Sequence, residues 1–434
     1  MHSLLPIATA MYAANIAWAY NNGLAITPQM GWNTWNYFGC DISEDTILSA
    51  ARTIVAENLV QHGYQYVLMD DCWQAPERDK TTGAPIADPE KFPNGIKALS
   101  DELHTMGLKF GIYSSAGQYT CGGRYGSLGY ETIDAQTYAS WGVDYLKYDN
   151  CYNDGRSGTP LISFERYQNM SLALNATGRP ILYSMCNWGE DQPWNWATTI
   201  ANSWRISGDI MDNFGRYDDR CPCTSMLDCK LPGFHCAMAR IIDFAAPFGQ
   251  KAGPGRWNDL DMLEVGNGGM THDEYGGHLI FAAISPRITT NNASHSFHNV
   301  VYSQEPFDPR QRHHPYGHHT LPSYAAPSRP LTFILQTSET YSIITNDAVI
   351  AINQDAKGSP ATRIWKISVE GGDLSLWSGS LVNNTFVFAL LNTSPSSQTV
   401  DIDFTDVFFD DGPAHQTERL SAYIACHVDN DVSP

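Results

Sequence analysis

Apolar and polar positions follow two different rhythms along the 434-residue chain. From Met30 to about Met262, short strand-like runs recur with a polar or charged residue at or near their ends. They are Met30–Trp35, Tyr66–Asp71, Lys109–Tyr113, Asp144–Asp149, Pro180–Cys186, Trp204–Asp209 and Arg256–Met262. Between them, stretches such as Ile47 to Val60 and Pro93 to Met106 return apolar residues at three- and four-residue intervals, the period of an amphipathic helix. Strand and helix in regular alternation predict a parallel sheet, either open and doubly wound or closed on itself. The strand ends decide between the two. A closed (β/α)8 TIM barrel gathers side chains from many strand ends over one mouth, whereas an open sheet works mainly at one switch point. The first part therefore reads as an α/β chain forming an eightfold barrel.

Beyond Ala351-Ile352-Asn353-Gln354-Asp355 the rhythm shortens to alternation, as in Asp373 to Trp377 and Thr385 to Leu391. This predicts a small antiparallel β-sandwich domain, which reads as incomplete because the chain stops at Pro434. At the other end, an apolar run from Leu4 to Ala19 closes on Ala17-Trp18-Ala19, the small-x-small pattern of a cleavage site, although its n-region holds no Lys or Arg. The expected organisation is a signal peptide over 1–19, a catalytic barrel over 20–356 and a C-terminal β domain over 357–434. An atypical segment at about 285–329 interrupts the barrel; it carries six of the 14 His, several Pro and no sustained period, and reads as an insertion rather than a metal-binding tract.

Composition narrows the function. A net charge of −20, with only 26 Lys and Arg, excludes nucleic acid and anionic membranes as natural partners, because both need clustered cations. No later segment has 18 uninterrupted apolar residues, so the exported chain is expected to be secreted and soluble. Sequons at Asn169, Asn175, Asn292, Asn383 and Asn392 are candidate glycosylation sites that agree with this route. The ten cysteines read first as disulfides in such a compartment. Cys221, Cys223, Cys229 and Cys236 fit two nested bridges better than a zinc site, in any of three connectivities.

The polar strand ends carry an excess of acid: Asp70, Asp71, Asp149, Asp209 and Asp261, with Asp259 close by. Retaining hydrolysis of a glycosidic bond needs two carboxyl groups about 5 Å apart, one attacking the anomeric carbon and one protonating the leaving oxygen. Lys147 stands two before Asp149, on the same face of a strand, where its ammonium would keep Asp149 ionised. Arg205 stands four before Asp209, where a turn could bring it onto a sugar hydroxyl. Adjacent carboxylates at Asp70 and Asp71 are costly unless both accept hydrogen bonds, and a helix N-cap would account for only one of them. The 12 Trp and 22 Tyr suit the apolar faces of sugars, though most aromatics are core.

Four ordered motifs, Gly31-Trp32-Asn33-Thr34-Trp35, Asp70-Asp71-Cys72-Trp73, Tyr145-Leu146-Lys147-Tyr148-Asp149-Asn150-Cys151 and Trp257-Asn258-Asp259-Leu260-Asp261-Met262-Leu263, resemble the fungal-type α-galactosidases of glycoside hydrolase family 27. The resemblance runs from about Asn22 to Gly277 and resumes near Ile344-Thr345-Asn346. It implies an exo-acting enzyme that removes terminal α-galactose with retention, Asp149 being the nucleophile and Asp209 the acid and base. It assigns substrate contacts to Trp35, Asp70, Asp71, Tyr113, Cys121, Lys147, Cys151, Asn187, Trp188, Arg205, Asp261 and Met262. It implies disulfides Cys40 to Cys72 and Cys121 to Cys151, and no cofactor or metal. Trp188 after the fifth strand favours galactose over the N-acetylgalactosamine of the sister activity, while Cys186 reads as a free thiol lining the pocket. The family's eighth strand, Pro-Leu then apolar residues and Gly-Asn-Asp, is displaced to Pro330-Leu331-Thr332-Phe333 without that ending. A galactoside-binding chain without turnover is the rival this departure raises.

Overall fold

The computed structural model describes residues 22–215, 236–284, 338–400 and 425–426. The expectations for the signal peptide, for Cys221, Cys223 and Cys229, for Asn292, for the eighth strand, for the atypical segment and for most of the tail fall outside them. Seven parallel strands lie in sequential order: β1 (Met30–Asn33), β2 (Tyr64–Leu68), β3 (Lys109–Ser115), β4 (Tyr145–Asp149), β5 (Leu182–Cys186), β6 (Ser203–Arg205) and β7 (Trp257–Asp259). Each corresponds to one of the seven runs read from the sequence. The strands are almost wholly buried, as parallel strands covered by helices on their outer side must be. Gly31 lets β1 and β2 close up, since a Cβ there would stand 2.2 Å from the Tyr66 carbonyl oxygen.

The helices are α1 (Trp35–Phe38), α2 (Glu44–Ala56), α3 (Gly95–Thr105), α4 (Glu131–Ser140), α5 (Pro160–Ala176), α6 (Met238–Ala245), α7 (His272–Ile284), α8 (Ser338–Ile344) and α9 (Asp347–Asn353). Local chemistry sets their starts. Ser43 Oγ accepts from Thr46 N at 3.3 Å, with Glu44 and Asp45 in the first turn of α2 where the helix dipole favours negative charge. Thr159 caps α5, and Pro160 opens it, where a missing N–H costs nothing. α2 ends four residues before the expected Val60 because Asn58 takes the left-handed conformation at φ 58°.

After α7 the described chain resumes at α8 and returns to the opposite edge of the sheet. Tyr64 Oη donates to Ile344 O at 2.8 Å, Thr27 Oγ1 donates to Gln354 Oε1 at 2.7 Å, and Gln354 Nε2 donates to Pro28 O at 2.8 Å. Helix α9 also packs on α7, so both edges of the parallel sheet are joined through these helices.

A separate antiparallel sheet follows, made by β8 (Thr362–Val369), β9 (Gly372–Ser380) and β10 (Phe386–Asn392), with the short β11 (Ala425–Cys426) parallel to β10. Trp377 of β9 is buried edge-on to Phe281 of α7, with centroids 6.0 Å apart. Arg363 and Lys366 of β8 each reach Asp243 of α6 at 2.6 Å.

Of the sequons in described residues, Asn169, Asn175 and Asn383 are exposed. Asn392 is buried, and its Nδ2 donates to Ser396 O at 2.9 Å.

Candidate active site

The strand register assembles the mouth. Tyr113 pairs with Lys147 and Ser115 with Asp149 across β3 and β4, Asp149 with Cys186 across β4 and β5, and Arg205 with Asp259 across β6 and β7. Asp149 is the last residue of β4 and is buried. Tyr113 Oη donates to its Oδ2 at 2.9 Å and Asn150 N donates to its Oδ1 at 2.8 Å. Burial raises the Asp149 carboxyl to about 7; Lys147 opposes this and the charge of Asp209 adds to it.

The direct partner of Lys147 is Asp70 rather than Asp149. Its Nζ donates to Asp70 Oδ2 at 2.7 Å and lies 5.3 Å from the centre of the Tyr113 ring. Burial works against the ammonium, but the Asp70 carboxylate, with Cys186 and Asp149 nearby, holds the Lys147 pKa well above its usual range. Asp70 Oδ2 also accepts from Asn33 Nδ2 at 2.8 Å. Asp71 accepts backbone N–H groups on both oxygens, from Cys72 and from Gly122, each at 2.6 Å. Burial pushes its carboxyl up to about 6 against those bonds. Neither Asp70 nor Asp71 caps a helix; both belong to the loop after β2.

On the opposite side, β6 ends at Arg205, so Asp209 stands in the following loop rather than at a strand end. Arg205 Nη2 holds Asp209 Oδ1 at 3.0 Å and Asp261 Oδ2 at 2.6 Å, and donates to Gly208 O at 2.8 Å. The Arg205 side chain is 3% exposed and the Asp209 side chain 36%, so a buried cation fixes a half-open carboxylate. In this arrangement Arg205 serves carboxylates where the sequence suggested a sugar hydroxyl. Asp261 takes a left-handed φ of 79° and also accepts from Ile210 N at 2.7 Å. Burial raises Asp261, and raises Asp259 to about 6, against the charge of Arg205.

The cysteines brace these loops as the resemblance implies, with Cys40 bonded to Cys72 and Cys121 to Cys151. The Cys121 and Cys151 sulfurs and an Asp149 oxygen all lie within 4.8 Å of one another. Cys236 is also disulfide-bonded. Cys186 is a buried free thiol accepting from Arg205 Nη1 at 3.4 Å, and burial pushes its pKa well up, keeping it protonated. Asn187 is buried beside it, its Nδ2 donating to Glu190 O at 2.9 Å, while Trp188 is half-buried at a left-handed φ of 57°. Trp35 is half-buried at the start of α1, its N–H donating to Asn33 Oδ1 at 2.7 Å. Met262 lies in the hydrophobic core.

Sequence reasoning missed the supports behind these residues. Arg166 is fully buried in α5 and donates to Asn150 Oδ1 at 2.6 Å, Ala116 O at 3.1 Å and Arg156 O at 2.8 Å, fixing the loop after Asp149. Its signal was present, since Ser163, Tyr167, Met170 and Leu174 share its buried stripe. Glu264, also buried, accepts from Asn36 and Asn267 and ties α1 to the loop after β7. No spacing rule would have paired Asn36 with it.

A parallel barrel whose mouth gathers five aspartates around one lysine and one arginine defines a class of carboxylate-based enzyme site, suited to neutral, hydroxyl-rich ligands. The chain belongs to the melibiase family described as alpha galactosidase A, which matches residues 27–296. It is 49% identical over 392 residues to alpha-galactosidase mel1 of Schizosaccharomyces pombe, covering 90% of this chain and 81% of that protein. Alpha-galactosidase I from Mortierella vinacea superposes with a TM-score of 0.77 at 51% identity, covering 90% of this chain and 87% of that one. An alpha-galactosidase from Saccharomyces cerevisiae with raffinose gives a TM-score of 0.80 at 43% identity, covering 92% and 81%.

Proposed function

We propose that this chain is a retaining exo-α-galactosidase that hydrolyses terminal non-reducing α-D-galactose by double displacement. The supporting observation is the pairing of a buried carboxyl, Asp149, with a half-open one, Asp209, each held by its own donors. Asp149 attacks the anomeric carbon as Asp209 gives its proton to the leaving oxygen, leaving a galactosyl ester on Asp149. Asp209 then takes a proton from water, which attacks the same carbon and releases Asp149. The positive charge that grows on the sugar ring in both steps favours the Asp149 anion most at the transition state, when burial has removed competing water. Lys147, Asp70, Asp71 and Asp261 serve the galactose hydroxyls, exchanging part of their present hydrogen bonds for substrate.

Raffinose-type oligosaccharides and galactomannan side chains fit this reading as substrates, since a relative's structure contains raffinose. Trp188 beside Asn187 supports galactose over N-acetylgalactosamine. Export is part of the proposal: two disulfides beside the site suit an oxidising compartment, and no helix among the described residues is long and apolar enough to cross a membrane. Hydrolysis of a chromogenic α-galactoside, with Asp149→Asn as control, tests the assignment; equal activity in both chains refutes it. NMR of the first-formed sugar tests the stereochemistry, and a β-anomer as initial product rejects retention.

A further inference from the structure

The loop that carries Asp209 is gripped a second time, three residues further along the chain. Asp212, three residues on, accepts from Tyr275 Oη at 2.7 Å on Oδ1 and from Gly269 N at 2.6 Å on Oδ2. Tyr275 lies on α7 and is buried, and its hydroxyl in turn accepts from Gly268 N at 2.7 Å. Burial and the charge of Asp212 both raise the tyrosine's pKa, so it stays a donor. The fit is close enough to require a glycine, because a Cβ on Gly269 would stand 1.9 Å from Asp212 O.

Between the two grips the backbone is also paired. Ile210 N donates to Asp261 Oδ2 at 2.7 Å, Cys236 N donates to Asp209 O at 2.7 Å, and Met211 N donates to Cys236 O at 2.9 Å. The Asp209 carboxylate therefore has its position set from one end by Arg205 and from the other by a side-chain clamp rooted in α7 and the loop after β7.

We propose that Asp212 and Tyr275 are positioning residues for the proton transfer at Asp209, and that neither touches the substrate. The proposal rests on Asp209 being the acid and base. A carboxyl held a fraction of an ångström from its productive place loses proton transfer before it loses binding, since the geometry of the donated proton is the more demanding of the two. The effect should scale with how much proton the leaving group needs.

The test compares two substrates in Tyr275→Phe, with Asp212→Asn as a second variant that keeps an acceptor oxygen and nearly the same volume. The glucose of melibiose leaves as a poor alkoxide and needs the acid; the fluoride of α-galactosyl fluoride leaves with little help. In Tyr275→Phe, kcat/KM on melibiose should fall about tenfold, a fraction of the roughly 10²–10⁴ that general acid catalysis supplies, while kcat/KM on the fluoride changes less than about twofold. Asp212→Asn should show the same selectivity at smaller size. Equal losses on both substrates in both variants would mean general damage to the fold and overturn the proposal, as would no loss on either. Asp209→Asn keeps the two readings apart. If it too lowers kcat/KM on both substrates equally, the acid assignment fails; if it is selective and the clamp variants are not, only the clamp fails.

Discussion

Removing the charge of Asp149 should make the folded protein more stable at neutral pH while abolishing turnover. The carboxyl moves from the ordinary 3.8 to about 7 because it is buried, with Lys147 and Tyr113 only partly offsetting the loss of water. At about 1.4 kcal/mol per pH unit, ionising it costs about 4 kcal/mol more in the folded chain than in the unfolded one. The sign follows from proton counting. Between the two values the folded state holds the proton and the unfolded state has released it, so stability falls as pH rises through that window and then levels. Asp149→Asn never ionises and escapes that fall. It loses one acceptor, leaving either Tyr113 Oη or Asn150 N poorly served, at about 1 kcal/mol. Urea unfolding at about pH 8 should therefore find the variant more stable by about 3 kcal/mol, and at about pH 4 close to or slightly below the parent. The change in the gap between the two pH values isolates the charge from the lost bond. A gap of the same size at both, or one that favours the parent at the higher pH, would refute the claim that burial sets this carboxyl's pKa.

Two further outcomes follow from the same mouth. Replacing Cys121 and Cys151 together by Ser frees a loop closed across a sequence separation of 30, which should cost about 3–4 kcal/mol in denaturant unfolding and lower activity through the wall beside Asp149. Unchanged stability would assign the bridge a purely local role. Trp188→Ala should raise kcat/KM on an α-N-acetylgalactosaminide relative to the α-galactoside by about tenfold, the scale of a pocket wall removed, and an unchanged ratio would move the specificity determinant elsewhere.

The strands were legible because each is apolar, buried and closed by polar residues, a pattern that depends only on local sequence. The carboxylates were legible for the same reason. Their partners were not. That Lys147 sits on Asp70 rather than Asp149 follows from how β2, β3 and β4 stack, and that Arg205 spends itself on Asp209 and Asp261 follows from two loops meeting after β6 and β7. Contacts of this kind join residues up to 77 apart in the Lys147 case, beyond the reach of any periodicity. Arg166 lies between the two cases: its place on the buried stripe of α5 was readable, but what it holds was not. The environment of Asn392 was beyond reach in another way, because a sequon records only three residues and says nothing of the turn that buries the first of them.

The return of α8 and α9 to the β1 edge works as the clasp of a bracelet. Tyr64 on Ile344, Gln354 on Thr27 and Pro28, and α9 against α7 fasten one rim of the sheet to the other. Fraying at either rim therefore has to break contacts that also hold the other, which ties the opening of the first strand to that of the last.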